Sequence, residues 1–207
     1  MASEWLTWAQ RIQALASTGA HFGASEFDVE RYEELGEIAH AMLQQITDAP
    51  LETLETLPPE FASGYATPQI DVRGALMRGD QILLVREKAD GLWTLPGGYA
   101  DVGFSAAENC AKEIFEEAGL EVQVTRLIAV RHKAKHPYRP DIRDFYKFLF
   151  LCADDAEQMP QAGMETLDAR MFGRHEIPEL STGRVLLKDI ELAFDAFADP
   201  SLPAVFD

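Results

Sequence analysis

Leu95-Pro96-Gly97-Gly98-Tyr99-Ala100-Asp101-Val102-Gly103 and, shortly after it, Lys112-Glu113-Ile114-Phe115-Glu116-Glu117-Ala118-Gly119 decide how this chain is read. The first string is a stiff turn that becomes permissive. Pro96 fixes its own φ, while Gly97 and Gly98 allow positive φ and close approach of another backbone. Ser105 is placed to N-cap a helix, with Glu108 as the reciprocal partner of a capping box. The helix then runs from about Ala106 to Ala118, and Gly119 suits the left-handed position that ends it. Ala107, Cys110, Ala111, Ile114 and Ala118 recur at helical spacing and form the packing face.

Glu113, Glu116 and Glu117 stand at i, i+3 and i+4. On a helix that spacing gathers them within an arc of about 100°. Carboxylates so placed repel one another unless a cation lies among them. Hard divalent cations take oxygen ligands from a few carboxylates together with substrate phosphates. The spacing therefore predicts a Mg²⁺ or Mn²⁺ site on this helix. A lone KExxEE string is equally at home on a solvated surface helix; a loop and helix bounded by glycines at both ends is more specific.

The combined string resembles the signature of the Nudix family, G-x5-E-x7-R-E-U-x-E-E-x-G-U, where U is a bulky aliphatic residue. Gly98, Glu113, Ile114, Glu116, Glu117, Gly119 and Leu120 match in register. Phe104 stands where the signature has Glu, and Lys112 where it has Arg. Lys112 keeps the charge but lacks the planar fork that orients a carboxylate through two bonds. The stretch Leu92 to Gly103 resembles a branch of the family that carries a helical N-terminal extension and includes CDP-choline pyrophosphatase.

The resemblance, which covers about Asp71 to Phe197, implies an α+β fold: an α/β/α sandwich with a mixed sheet between helices. It implies metal-dependent hydrolysis of a nucleoside diphosphate linked to another moiety, CDP-choline-like or ADP-ribose-like. The products are a nucleoside monophosphate and a phosphorylated second moiety. Glu116 and Glu117 are the first expected metal ligands, Glu113 the next, and the Gly97 carbonyl a further oxygen. Glu113 or Glu165 is expected to accept the proton of the attacking water. Arg86 and Gly98 are expected beside the substrate. The alternative is a Nudix-fold sensor that binds a nucleotide ligand without turnover. The retained glutamates, and the lack of a helix-turn-helix or basic arm, favour the enzyme.

Outward from this stretch, 207 residues suit one good-sized domain plus a small extension. Residues 1–66 are expected as a helical extension and linker, and 67–207 as the hydrolase domain. The net charge of −17 argues against nonspecific nucleic-acid or membrane binding, which favours basic faces. It does not exclude a phosphorylated small molecule, because a bound cation inverts the local field. Cys110 and Cys152 lack metal-ligand or CxxC spacing and read as reduced buried thiols. The N-terminus shows no basic region followed by an apolar run, so a cytoplasmic protein is expected.

Periodicity predicts a first helix from Glu4 to about Ser17, with a stripe of Trp5, Trp8, Ile12, Leu15 and Ala16. A second runs from Glu26 to about Thr47, with Val29, Tyr32, Leu35, Ile38, Ala39, Met42, Leu43 and Ile46 apolar. The pair resembles the branch's extension, which implies a homodimer. Asp48 to Pro68 is proline-rich and reads as a linker. Gln69–Met77 and Gln81–Arg86 read as strands around a short turn, the second buried on both faces. Further strands are expected over Glu121–Arg131 and Asp144–Ala153, and a short segment begins at Glu165 and runs to Phe172. The intervening stretch holds Lys133, Lys135, His136, Arg139 and Arg143. It reads either as a solvated loop or as a basic cluster, Arg139 included, that reaches over an anionic substrate. Tyr138 is a candidate for stacking on a base. The last helix is expected from Gly183 to Ala198, N-capped by Ser181 or Thr182, with a loose tail from Asp199.

Overall fold

The structure is a computed structural model that describes residues 4–23, 25–46, 67–155 and 158–207. Most of the expected linker therefore lies outside the described residues. The chain forms two compact units, Met1–Pro68 with Pro140–Asp144, and Gln69–Arg139 with Phe145–Asp207.

In the first unit, α1 (Glu4–Phe22) packs on α2 (Glu26–Ile46). Leu6, Ala9, Leu43 and Ile142 form its buried cluster. Gln10 Nε2 donates to the carbonyls of Asp141 and Ile142 at 2.9 and 3.1 Å, which anchors the short 140–144 segment. Helix α1 runs past Ser17 because Gly19 lies flat under the Tyr32 ring, where a Cβ would come within 2.3 Å of the aromatic carbons. The inward faces match the expected stripes only in part: Ala16, Ala39 and Leu43 turn inward as expected. Leu6, Ala9, Ala16, Ala39 and Leu43 are buried, whereas Trp5, Trp8, Leu15, Leu35 and Ile38 are exposed. Small residues let the two helices approach closely, and the bulky ones are left outside.

The second unit is built on a mixed sheet. Its strands are β1 (Gln69–Arg78), β2 (Gln81–Glu87), β3 (Trp93–Thr94), β4 (Gln123–His132), β5 (Phe145–Ala153), β6 (Thr166–Gly173) and β7 (Val205–Phe206). The order is β3-β2-β1-β5-β4-β7, and β6 pairs with β2 off this path. The central pair β1·β5 is parallel, with Val72 opposite Phe148. The pairs β1·β2, β2·β6 and β4·β5 are antiparallel. Helix α3 (Ala106–Ala118) covers one face through Cys110, Ile114 and Ala118 on Val72, Leu76, Leu83, Val85 and Phe150. Helix α4 (Leu187–Ala198) covers the other through Ile190, Ala193 and Phe194 on Ala75, Leu84 and Leu149. This is the expected α/β/α arrangement. Ile82 to Val85 are wholly buried, as a continuous apolar run requires.

Two expectations at the C-terminal end are corrected. Helix α4 begins at Leu187, and neither Ser181 nor Thr182 caps it. Ser181 is engaged elsewhere: its hydroxyl donates to Asp90 at 2.6 Å, and its carbonyl receives the Arg184 and Val185 amides. The Leu186 amide is met by Asp189 Oδ2 at 3.0 Å. The tail is not loose. Val205 and Phe206 pair in parallel with Ala129 and Val130, and the Asp207 carboxylate accepts from the His132 amide and the His136 ring. Strand β4 has an open edge there, and the tail fills it. Among the described residues no helix is long and apolar enough to cross a membrane.

Candidate active site

The loop–helix stretch folds as its residues dictate. Ser105 Oγ accepts from the Glu108 amide at 3.2 Å, and Glu108 accepts from the Ser105 amide at 2.7 Å. Gly119 closes α3 in the left-handed region at φ 68°. Upstream, the loop lies along β1, where the Val72 amide donates to the Gly98 carbonyl and the Gly74 amide to the Pro96 carbonyl, both at 2.9 Å. Gly97 sits at φ 143°, and a Cβ there would lie 2.0 Å from the Val72 carbonyl oxygen. Only glycine fits that contact.

The helix treats its glutamates differently. Glu117 is 5 % exposed and accepts from the Gly97 amide at 2.9 Å. Burial pushes its pKa up to about 8, against the opposing pull of Arg73 and of the Gly97 amide. Glu113 is half-buried against Gly98, where a Cβ would come within 2.9 Å of Glu113 Oε1. Its pKa is also raised, burial again leading. Glu116 is exposed and ion-paired with Lys112 at 2.9 Å. Lys112 pairs as well with Asp101 at 3.2 Å, and its charge also favours ionised Glu113.

The buried cation nearest these acids is Arg73 on β1, whose charge favours ionised Glu117, Glu113 and Glu87 alike. Glu87 went unread in the sequence. It ends β2 as a buried residue, paired with Arg184 at 3.3 Å, and burial raises its pKa. Its neighbour Arg86 points the other way, exposed, with Nε on the Gly91 carbonyl at 2.7 Å. Strand alternation was the signal that could have found it: one of two successive charged residues at a strand end must point inward.

Segment 161–166 is bonded onto the end of α3. The Gly163 amide and Thr166 Oγ1 both donate to the Glu117 carbonyl, at 3.1 and 2.8 Å. Glu165, within this segment, is exposed and close enough for its charge to raise the pKa values of Glu113 and Glu87. Two other expected residues have partners of their own. Arg139 is exposed, with its amide on the Thr182 carbonyl at 2.9 Å. Tyr138 is buried, its hydroxyl on Asp189 at 2.6 Å, so it presents no face for a base to stack on.

Among the described residues no three His, Cys, Asp or Glu side chains converge tightly enough to hold a metal ion as they stand. The donor chemistry nevertheless fits a hard divalent cation. Glu117 and Glu113 are oxygen donors that burial leaves short of positive charge, and they flank a glycine pair whose backbone is open to close approach.

Comparison with known proteins gives the same reading. Residues 67–190 match the NUDIX domain, and residues 3–57 match a family described as UDP-X-like, N-terminal oligomerisation domain. YjhB of Bacillus subtilis (strain 168), a provisionally named ADP-ribose pyrophosphatase, is 39 % identical over 99 % of this chain and 98 % of its own. The crystal structure of a UDP-X diphosphatase is 34 % identical, with a TM-score of 0.63, over 100 % of this chain and 99 % of that one. An ADP-ribose pyrophosphatase from Streptococcus suis 89-1591 is 35 % identical, with a TM-score of 0.61, over 68 % of this chain and 100 % of its own. The domain match spans most of the chain, and the loop–helix unit it contains carries the acids in register; the protein is a Nudix hydrolase.

Proposed function

We propose that this chain hydrolyses the diphosphate bridge of a nucleoside diphosphate linked to a second moiety, with a divalent cation as cofactor. The observation that carries the proposal is the buried Glu117, held by the Gly97 amide on a glycine turn that only a bare backbone can form. The full-length similarity to YjhB and to the UDP-X diphosphatase supports ADP-ribose-like and UDP-linked compounds as the first substrates to test. CDP-choline belongs in the same panel.

In this reading Glu117, Glu113 and the Gly97 carbonyl are the inner oxygen donors for Mg²⁺ or Mn²⁺, and Glu116 joins them by leaving Lys112. A bound dication would neutralise the diphosphate and lower the pKa of coordinated water. The chain's own residues do the rest. The turn at Gly97 and Gly98 lets phosphate oxygens approach the backbone. Arg73 offsets part of the cost of burying these carboxylates. Glu165, exposed on its docked segment, is the proton acceptor for the attacking water, with Glu113 second. An acceptor must keep a lone pair free for the proton it takes, and Glu165 is the more accessible of the two.

The N-terminal unit is proposed to join two copies of the chain. Trp5, Leu15, Phe22 and Phe27 are each more than 60 % exposed there, and a second copy would cover them.

The test is release of nucleoside monophosphate from ADP-ribose, UDP-glucose, CDP-choline, NADH and a nucleoside triphosphate, with and without Mg²⁺. Selective Mg²⁺-dependent turnover of one diphosphate compound would support the proposal. Binding without turnover across the panel would favour the sensor reading.

A further inference from the structure

Three charged residues lie buried on the two central strands. Asp71 and Arg73 on β1 and Lys147 on β5 are 6 %, 5 % and 1 % exposed. Isolated buried charges are costly, and a set of two cations and one anion is unbalanced on its own. The contacts show what it does. Lys147 Nζ donates to Asp71 Oδ1 at 2.7 Å. Arg73 grips the same carboxylate through two bonds, Nε to Oδ1 at 2.9 Å and Nη2 to Oδ2 at 2.8 Å. Its remaining arm, Nη1, donates to the Leu95 carbonyl at 3.3 Å. Leu95 opens the glycine turn. The next residues are clamped to β1 through the Pro96 and Gly98 carbonyls, and Gly97 donates to Glu117. A continuous polar chain therefore runs from Lys147 through Asp71 and Arg73 to the turn and its carboxylate.

We infer that Arg73, locked by Asp71 and Lys147, is a positioning residue for the metal-binding turn. It fixes the Leu95–Gly97 backbone and stands as the permanent cation opposite Glu117 before any ion arrives. Lys112, the nearest cation in sequence, pairs with Glu116 and Asp101 at the surface and its charge reaches Glu113 as well, but the cation that favours the buried Glu117 is Arg73, on another strand. The surplus cation of the Asp71–Arg73–Lys147 set is what balances it. The fork matters as well as the charge. A lysine at 73 keeps the charge but cannot hold a carboxylate through two bonds and a carbonyl at once.

The inference rests on the proposed metal-dependent hydrolysis, and its test separates the two. Mn²⁺ binding to the full-length protein is titrated by electron paramagnetic resonance of the free ion, and kcat and KM are measured on the best substrate of the panel. Arg73→Lys should weaken Mn²⁺ binding about tenfold or more, the range typical of lost outer contacts around a metal site. It should lower kcat with KM little changed, while folding cooperatively. Asp71→Asn, which keeps one acceptor for Arg73, should act in the same sense and less strongly. Folded variants with wild-type Mn²⁺ affinity and kcat, losing only thermal stability, would reduce Arg73 to a structural part and overturn the inference. A third readout needs no variant. In metal-free wild type the Gly74 and Gly97 amides should exchange with solvent at least about 100-fold more slowly than an open loop, as amides inside stable structure do. Exchange at open-loop rates would show that the turn is not preset, and would also overturn it. Weakened Mn²⁺ binding in the variants, beside a wild type that turns over no diphosphate, would sink the substrate reading and support the positioning role.

Discussion

Glu116 and Glu117 are neighbours in sequence, yet one is a solvated surface acid and the other a buried one. Glu117→Gln should lower turnover at least about a hundredfold, as loss of a residue acting in the transition state does. The same change removes a carboxyl that burial forces to take up a proton on folding, so in metal-free protein the melting temperature should stay level or rise; a fall would mean that Glu117 mainly holds the fold. Gly97→Ala has nowhere to place its methyl group, with the Val72 carbonyl in the way and φ on the positive side. It should cost roughly 1–3 kcal/mol in chemical unfolding, the scale of stored backbone strain. Lys147 gives a pH signature. Burial pulls its pKa down to about 8, against the attraction of Asp71. The unfolded lysine holds its proton to about pH 10.4. Between those values the unfolded chain binds more protons than the folded one, so this group makes stability rise with pH. Wild type measured against Lys147→Met by urea unfolding should therefore gain on the variant from pH 8 to pH 10. A constant gap would show that the lysine is not buried as described.

At the scale of elements, α3 is held at both ends by residues whose roles are local. Ser105→Ala should cost about 1 kcal/mol, the usual loss for a serine cap. This helix was legible because capping depends on neighbours in sequence, and so was strand β2, whose apolar run leaves one place to go. What stayed hidden depends on distant partners. Asp71 and Lys147 read as ordinary charged strand residues, and their burial follows from a contact between positions 76 apart. Glu87 is buried because Arg184, far along the chain, comes to meet it. The stripe of α1 misled because bulk was taken as a sign of burial, whereas close helix packing selects Ala and Gly at the contact and turns tryptophans outward. The tail was read as loose on its prolines alone, yet the open edge of β4 gives it a partner. The signature glutamates were legible as a set; their division into buried and exposed came from the β1 contact of the turn, which no spacing announces.

At the scale of the molecule, the exposed aromatic face of the N-terminal unit predicts a dimer in solution. Light scattering should give about twice the 23.0 kDa chain mass, and a charged residue in place of Trp8 or Leu15 should return it toward a single chain. A wild type that is already a single chain would leave that face needing another explanation. The parallel pairing of β1 with β5 has a consequence for biosynthesis. The two strands that form the middle of the sheet are separated by β2, β3, α3 and β4, so the first cannot find its neighbour until the second has left the ribosome. Strands β1 and β2, the second with a continuous apolar run, are made early and wait unpaired on one side while the helix and β4 are still being added. Pairing of this kind is slow, because a long loop must close before any contact rewards it. The nascent chain therefore offers chaperones a sticky hairpin for the time it takes to translate the glycine turn, the acidic helix and the basic loop, and yield on overexpression should improve when synthesis is slowed by cooling.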